Sequence, residues 1–99
     1  MYHITHSDEN IVAKVCHSCK KITLGRKWRS LVKPLRDFVI FHEEAHAKLI
    51  GSEVGADKYA IIMMEKKGYP RGKMIHLLLS TNLRTTTEMD ALKEELEKS

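Results

Sequence analysis

Ninety-nine residues with 42 % hydrophobic content suit one domain with one core and exclude wholesale disorder. The chain carries 17 Lys/Arg against 13 Asp/Glu, a formal +4, and has no apolar run near the roughly 18 residues that read as a membrane span. With no leader-like N-terminus, and two cysteines too few for a disulfide framework, a soluble, cytoplasmic protein with no membrane span is expected.

Residues 1–9 are polar with weak alternation, an extended arm or a short first strand. Asn10 to Val15 alternates, with β-branched Ile11, Val12 and Val15, and Ile22-Thr23-Leu24 is a second run of strand type. Cys16 to Lys21 then reads as their hairpin connection, and Gly25 as the bend that ends the second strand. Pro34 suits the first residue of a helix, because its missing N–H has no helical partner there. From it Leu35, Phe38, Phe41 or His42, Ala45 and Leu49 recur at steps of three or four, predicting a helix over 34–50 stopped by Gly51.

Ser52 caps a second helix over 53–67, with Ala56, Ala60, Met63 and Met64 inward and Gly68 as its stop. Pro70 opens a third helix over 70–80. Thr87 and Asp90 form a capping box for a fourth over 88–98, whose apolar stripe is Met89, Leu92 and Leu96. The fold class expected is α+β: about three strands in a small twisted sheet, packed on two long helices and closed by two shorter ones.

The chemistry concentrates in the first long helix, where His42-Glu43-Glu44-Ala45-His46 spells His-Glu-x-x-His. Positions i and i+4 share a helix face, so His42 and His46 present their imidazoles together, as two ligands of one tetrahedral zinc require. Glu43 lies beside that face, placed to accept a proton from a water at the metal and to return it to a leaving amine. A third ligand is needed, and Glu53, Asp57 and His76 offer suitable atoms. Glu53 is preferred, because Gly51-Ser52 permits a reversal that brings the start of the second helix under the metal. Asp57, one turn on, faces the same way and can hydrogen-bond the outer nitrogen of a ligating histidine, fixing its tautomer.

The stretch Phe41 to Leu79 resembles the gluzincin metallopeptidases of the HtpX and CAAX-prenyl-protease family. The resemblance rests on His42 to His46, on Glu53-Val54-Gly55-Ala56-Asp57 with Tyr59-Ala60, and on Gly68-Tyr69-Pro70, in that order over about forty residues. Its small size and lack of membrane spans make the chain most similar to the minigluzincins, soluble minimal forms of that domain. The resemblance implies a minimal zincin-like fold, zinc at His42, His46 and Glu53, Glu43 as base and acid, and a peptide or unfolded protein as substrate. It also implies that the substrate lies along an edge strand ahead of the metal helix, for which Ile22 to Leu24 is the candidate.

In the family, Ser-Thr-His-Pro and a downstream Arg often follow the third helix. Here Asn82 and Leu83 replace the histidine and proline, and Met89 stands where an arginine is expected. Asn82 then becomes the candidate oxyanion or substrate contact, donating an amide hydrogen bond without positive charge, which implies a weak, narrow or latent activity.

The other features weigh less. Cys16-His17-Ser18-Cys19 is a single Cys-x-x-Cys that reads as turn residues with free thiols, metal or redox use being the alternative. His3 and His6 read as exposed, His76 as a partly buried helix residue, and Met63, Met64 and Met74 as core. Lys14 to Arg36 holds eight Lys/Arg and no acid, whereas Glu88 to Ser99 holds five acids and two lysines. The basic stretch contains Trp28 but neither a recognition helix nor a run of stacking aromatics, so nucleic acid is not the expected partner. The acidic last helix is placed to cover the cleft of its own chain, as in a zymogen, or that of a homodimer mate. The expectation is a zinc-dependent endopeptidase; a non-catalytic interaction or DNA-binding protein retaining a structural metal is the alternative.

Overall fold

β-Branched residues set the sheet. The computed structural model describes residues 2–48 and 50–98. Three strands form it: β1 (His3–His6), β2 (Ala13–Cys16) and β3 (Lys21–Leu24), in the order β1-β3-β2. β3 pairs parallel with β1, setting Ile4 opposite Ile22, and antiparallel with β2, setting Val15 opposite Ile22. Residues 17–20 join β2 to β3, and Lys20 takes the left-handed conformation (φ 53°) that turns the chain into β3.

The register corrects one expectation. Ile22 to Leu24 is the central strand, hydrogen-bonded on both sides, because the N-terminal arm pairs with it as β1. The edge nearest the first long helix belongs to β2, which packs against that helix. Beyond Leu24, Gly25 donates its N–H to Val12 O at 3.0 Å, and a Cβ there would collide with the Ile11 carbonyl oxygen. Only glycine admits that approach of the 9–12 segment.

A four-residue helical turn, α1 (Arg26–Arg29), follows where none is expected. Its Trp28 Nε1 donates to Arg36 O at 3.1 Å, and the Arg36 guanidinium lies 5.7 Å from the indole centroid. The aromatic residue of the basic stretch is thus engaged in holding α1 to the next helix, α2 (Lys33–Ala47). Lys33 rather than Pro34 begins α2; Pro34 is second, still within the first turn whose N–H groups lack helical partners. Leu35, Phe38, Val39, His42 and Ala45 form its buried stripe, while Leu49 lies outside the described residues.

α2 stops at Ala47, capped by Lys48, four residues before Gly51. The Ile50 N–H returns to Ala45 O at 3.0 Å and the Ile50 carbonyl accepts from the His46 ring at 2.9 Å, so backbone and side chain together turn the chain before the glycine. Ser52 caps α3 (Glu53–Lys66), its Oγ accepting from Gly55 N at 2.9 Å. The buried stripe of α3 is Ala56, Asp57, Ala60, Ile61 and Met64. Ile61 occupies the inward place expected of Met63, which the 3.6-residue period puts on the flank. Gly68, at φ 91°, ends α3: the Gly68 N–H bonds Glu65 O and the Tyr69 N–H bonds Met64 O.

α4 (Arg71–Ser80) buries Met74 and Leu78, which leaves His76, about 200° around from Met74, exposed rather than partly buried. It ends as α3 does, with Asn82 at φ 59° in the place of Gly68: the Asn82 N–H reaches Leu79 O, and that of Leu83 reaches Leu78 O. α5 (Thr86–Glu97) starts two residues earlier than expected, because its capping box is Thr85 with Glu88 rather than Thr87 with Asp90.

Met89, Leu92 and Leu96 complete one core with Leu35, Phe38, Ala60, Ile61, Met64, Met74 and Leu78. Burying each of the three contributes roughly 1.5–3 kcal/mol. α5 is therefore a wall of the core, packed on α3 and α4.

Candidate metal centre

Helix geometry and one reversal of the chain build the site. α2 places His42 and His46 one turn apart, with ring centroids 4.8 Å apart and planes at 80°. The turn at 48–52 brings the first residue of α3 back against them. His42 Nε2 lies 3.0 Å from Glu53 Oε2, His46 Nε2 lies 3.1 Å from Glu53 Oε1, and the two Nε2 atoms are 3.2 Å apart. Asp57, one turn along α3, meets His42 Nδ1 at 2.7 Å. His76, the other candidate ligand, stays outside the cluster that His42, His46 and Glu53 form.

The outer ring nitrogens fix the tautomers. A carbonyl only accepts, so His46 Nδ1 carries the hydrogen bonded to Ile50 O. Asp57 receives two charge-assisted hydrogen bonds from Arg84 at 2.8 Å, Nε to Oδ2 and Nη2 to Oδ1. Burial pushes the Asp57 carboxyl up, but the Arg84 and His42 hydrogen bonds and charges outweigh it and hold the pKa below the usual carboxylate value. An ionised Asp57 accepts from His42 Nδ1–H. In the neutral rings both Nε2 atoms therefore present lone pairs to each other and to the Glu53 oxygens.

Acceptors facing acceptors at about 3 Å need a cation between them, either a metal ion or protons on the rings. The His42 pKa is raised in step: burial opposes the charged ring, but the Asp57 hydrogen bond and charge prevail. The donor set also fits zinc. Bonds of about 2.0–2.1 Å in a tetrahedron place ligand atoms roughly 3.3–3.4 Å apart, within a few tenths of an ångström of the spacings here. Glu53 is largely exposed, so the cluster opens to solvent on its side.

Of the two adjacent glutamates, Glu43 faces the cluster, with Oε1 3.9 Å from His42 Nε2. Glu44 turns to an apolar pocket of about 270 Å³ with Tyr2, Ile4 and Ile22. Burial, and then the Glu53 charge, push the Glu43 carboxyl above its usual range against the pull of His42, His46 and Arg84. Raised and half-buried, it suits a group that must both take and give a proton.

Two depressions flank the cluster. One, of about 170 Å³, lies between Val12 and Ala13 at the start of β2 and Val39, His42, Glu43, Leu83 and Arg84. The other, of about 520 Å³, lies between Tyr2, His17, His46, Ile50 and Gly51. β2 runs from the first to the second.

The structure brings together His42, Glu43, His46, Glu53 and Asp57, but not Asn82. Exposed Asn82 turns the chain at the end of α4, and Leu83 and Arg84 are what this segment presents to the cleft. Arg84 is the site residue that sequence reasoning missed. An arginine is expected near position 89, and the only local signal for Arg84 is a lone cation between Leu83 and the capping Thr85. Comparison with known proteins finds no family model, no curated protein and no solved structure that matches the chain.

Proposed function

We propose that this chain is a zinc-dependent endopeptidase of gluzincin type on a minimal zincin-like fold. The observation that carries the reading is the convergence of three donors, His42, His46 and Glu53, on one point with the Glu43 carboxylate beside it. His42, His46 and Glu53 hold the metal, and Asp57, clamped by Arg84, orients His42. When bound, zinc would supply Lewis acidity, which lowers the pKa of a water to about 7.

The protein's own part is proton handling and alignment. Glu43 accepts a proton as water adds to a peptide carbonyl and returns it to the departing amine. Among the described residues the outer edge of β2 pairs with no strand, and it offers backbone N–H and C=O groups to an extended peptide, which would pass from the cleft beside Glu43 to the groove beside His46.

Two substitutions and a metal assay test the reading. Glu53→Ala should lose zinc, whereas Glu43→Gln should retain one zinc per chain and abolish cleavage of a quenched peptide or casein. Turnover that survives Glu43→Gln refutes the assignment. Zinc binding without turnover in the wild-type chain, accompanied by salt-sensitive DNA retardation, would favour a structural metal in a nucleic-acid-binding protein.

A further inference from the structure

The β2–β3 hairpin carries chemistry that a peptidase site does not use. Cys16 ends β2 and Cys19 lies in the four-residue connection, and both are free thiols, the first half-buried and the second exposed. The loop is folded around the Cys16 sulfur. The Cys19 N–H points at Cys16 Sγ from 3.2 Å, and the Ser18 hydroxyl lies 3.4 Å from Cys16 Sγ and 4.0 Å from Cys19 Sγ. Lys21 adds positive charge nearby. These groups, the Cys19 thiol first and Ser18 next, bring the Cys16 pKa down to about 7. Among the described residues no third metal donor joins the two sulfurs. His17, between them, has its Nδ1 3.0 Å from the Tyr2 hydroxyl.

We propose that Cys16 and Cys19 are a redox-active dithiol that exchanges with low-molecular-weight disulfides, with Cys16 as the attacking thiolate and Cys19 as the resolving thiol. The geometry divides the roles. Donors surround Cys16 and stabilise it as a thiolate, while exposed Cys19 is a neighbour free to turn onto it. In the first step the Cys16 thiolate attacks one sulfur of RS–SR. A Cys16–S–SR bond forms, the RS–SR bond breaks, and RS⁻ leaves with the electron pair and takes up a proton. Cys19 then loses its proton to solvent and attacks Cys16 Sγ, which expels the second RS⁻. The balance is one dithiol oxidised to a disulfide and one disulfide reduced to two thiols.

The exchange would occur in a separate groove of about 400 Å³, which Cys16 and Cys19 line together with Thr5, Lys14, Lys21 and Thr23. Its chemistry is independent of peptide cleavage. The test therefore uses the full, zinc-loaded chain with glutathione disulfide at neutral pH, read by intact mass and peptide mapping. Wild type should lose two hydrogens and gain a bond between Cys16 and Cys19 within one chain. Cys19→Ser should stop at a glutathione adduct on Cys16, formed at least tenfold faster than any adduct on Cys16→Ser. Equal rates for the two variants, a wild-type adduct that never resolves, or disulfides only between chains would each overturn the proposal. Both positions are in an exposed hairpin, and a circular dichroism spectrum unchanged from wild type confirms that each variant compared is folded.

Discussion

Replacing Arg84 by methionine should destabilise the metal-free protein by about 3 kcal/mol. Asp57 and Arg84 are both largely buried, and both Asp57 oxygens are held by the guanidinium at 2.8 Å. Breaking such a pair costs about 3–5 kcal/mol, mainly because a desolvated carboxylate is left behind. The lower end applies because His42 still donates to Asp57. Methionine keeps the length of the aliphatic stem, and the guanidinium that it removes also lies 5.8 Å from the Phe38 ring centroid.

Against a total of roughly 5–15 kcal/mol, and a urea slope of about 1–3 kcal/mol per molar, the midpoint should fall by roughly 1–3 M. The assay is urea unfolding in chelator, repeated in an Asp57→Asn background, where the same replacement should cost under about 1 kcal/mol. The pH dependence has a definite sign. The folded pKa of Asp57 is lowered, so its stabilisation is present above the unfolded value of about 3.9 and is lost as pH falls through the folded value. The difference between wild type and Arg84→Met should therefore be largest near neutrality and shrink at acid pH. A loss below about 1 kcal/mol, or equal losses in both backgrounds, would refute the clamp.

Asp57→Asn should lower zinc affinity by roughly 10–100-fold while leaving a site that still fills at high metal, measured by competition with a chromophoric chelator. Unchanged affinity would mean that the 2.7 Å contact does not orient His42. Leu92→Ala should cost about 2–5 kcal/mol in urea unfolding, since Leu92 is fully buried in the one core. For the same reason, removing the residues after Ser80 should abolish the cooperative transition and not raise peptide cleavage. A truncated chain that melts cooperatively and cleaves faster would assign α5 the role of a cover.

The local signals in the sequence were strong where one element decides the outcome. Ser52 and Gly68 bound α3 as expected because a cap and a left-handed turn are settled within four residues. Met89, Leu92 and Leu96 marked a buried face because helical period alone brings them into line. His42, Glu43 and His46 were legible for the same reason, and Glu53 and Asp57 nearly so, because one short reversal relates the two helices.

Three things required the tertiary structure. Which strand is central depends on the polar arm at 3–6 pairing with β3, and nothing in residues 22–24 announces a partner some eighteen positions away. Where α5 goes depends on the space left by α3 and α4, so three apolar residues on an acidic helix did not by themselves name the surface they pack on. Arg84 reaches Asp57 across 27 residues of chain only because Asn82 turns the end of α4 back toward α3. The sequence by itself determined the candidate metal donors, since a helix repeat and a five-residue link carry them. The clamp behind those donors, and the edge beside them, were decided by contacts between elements far apart in the chain.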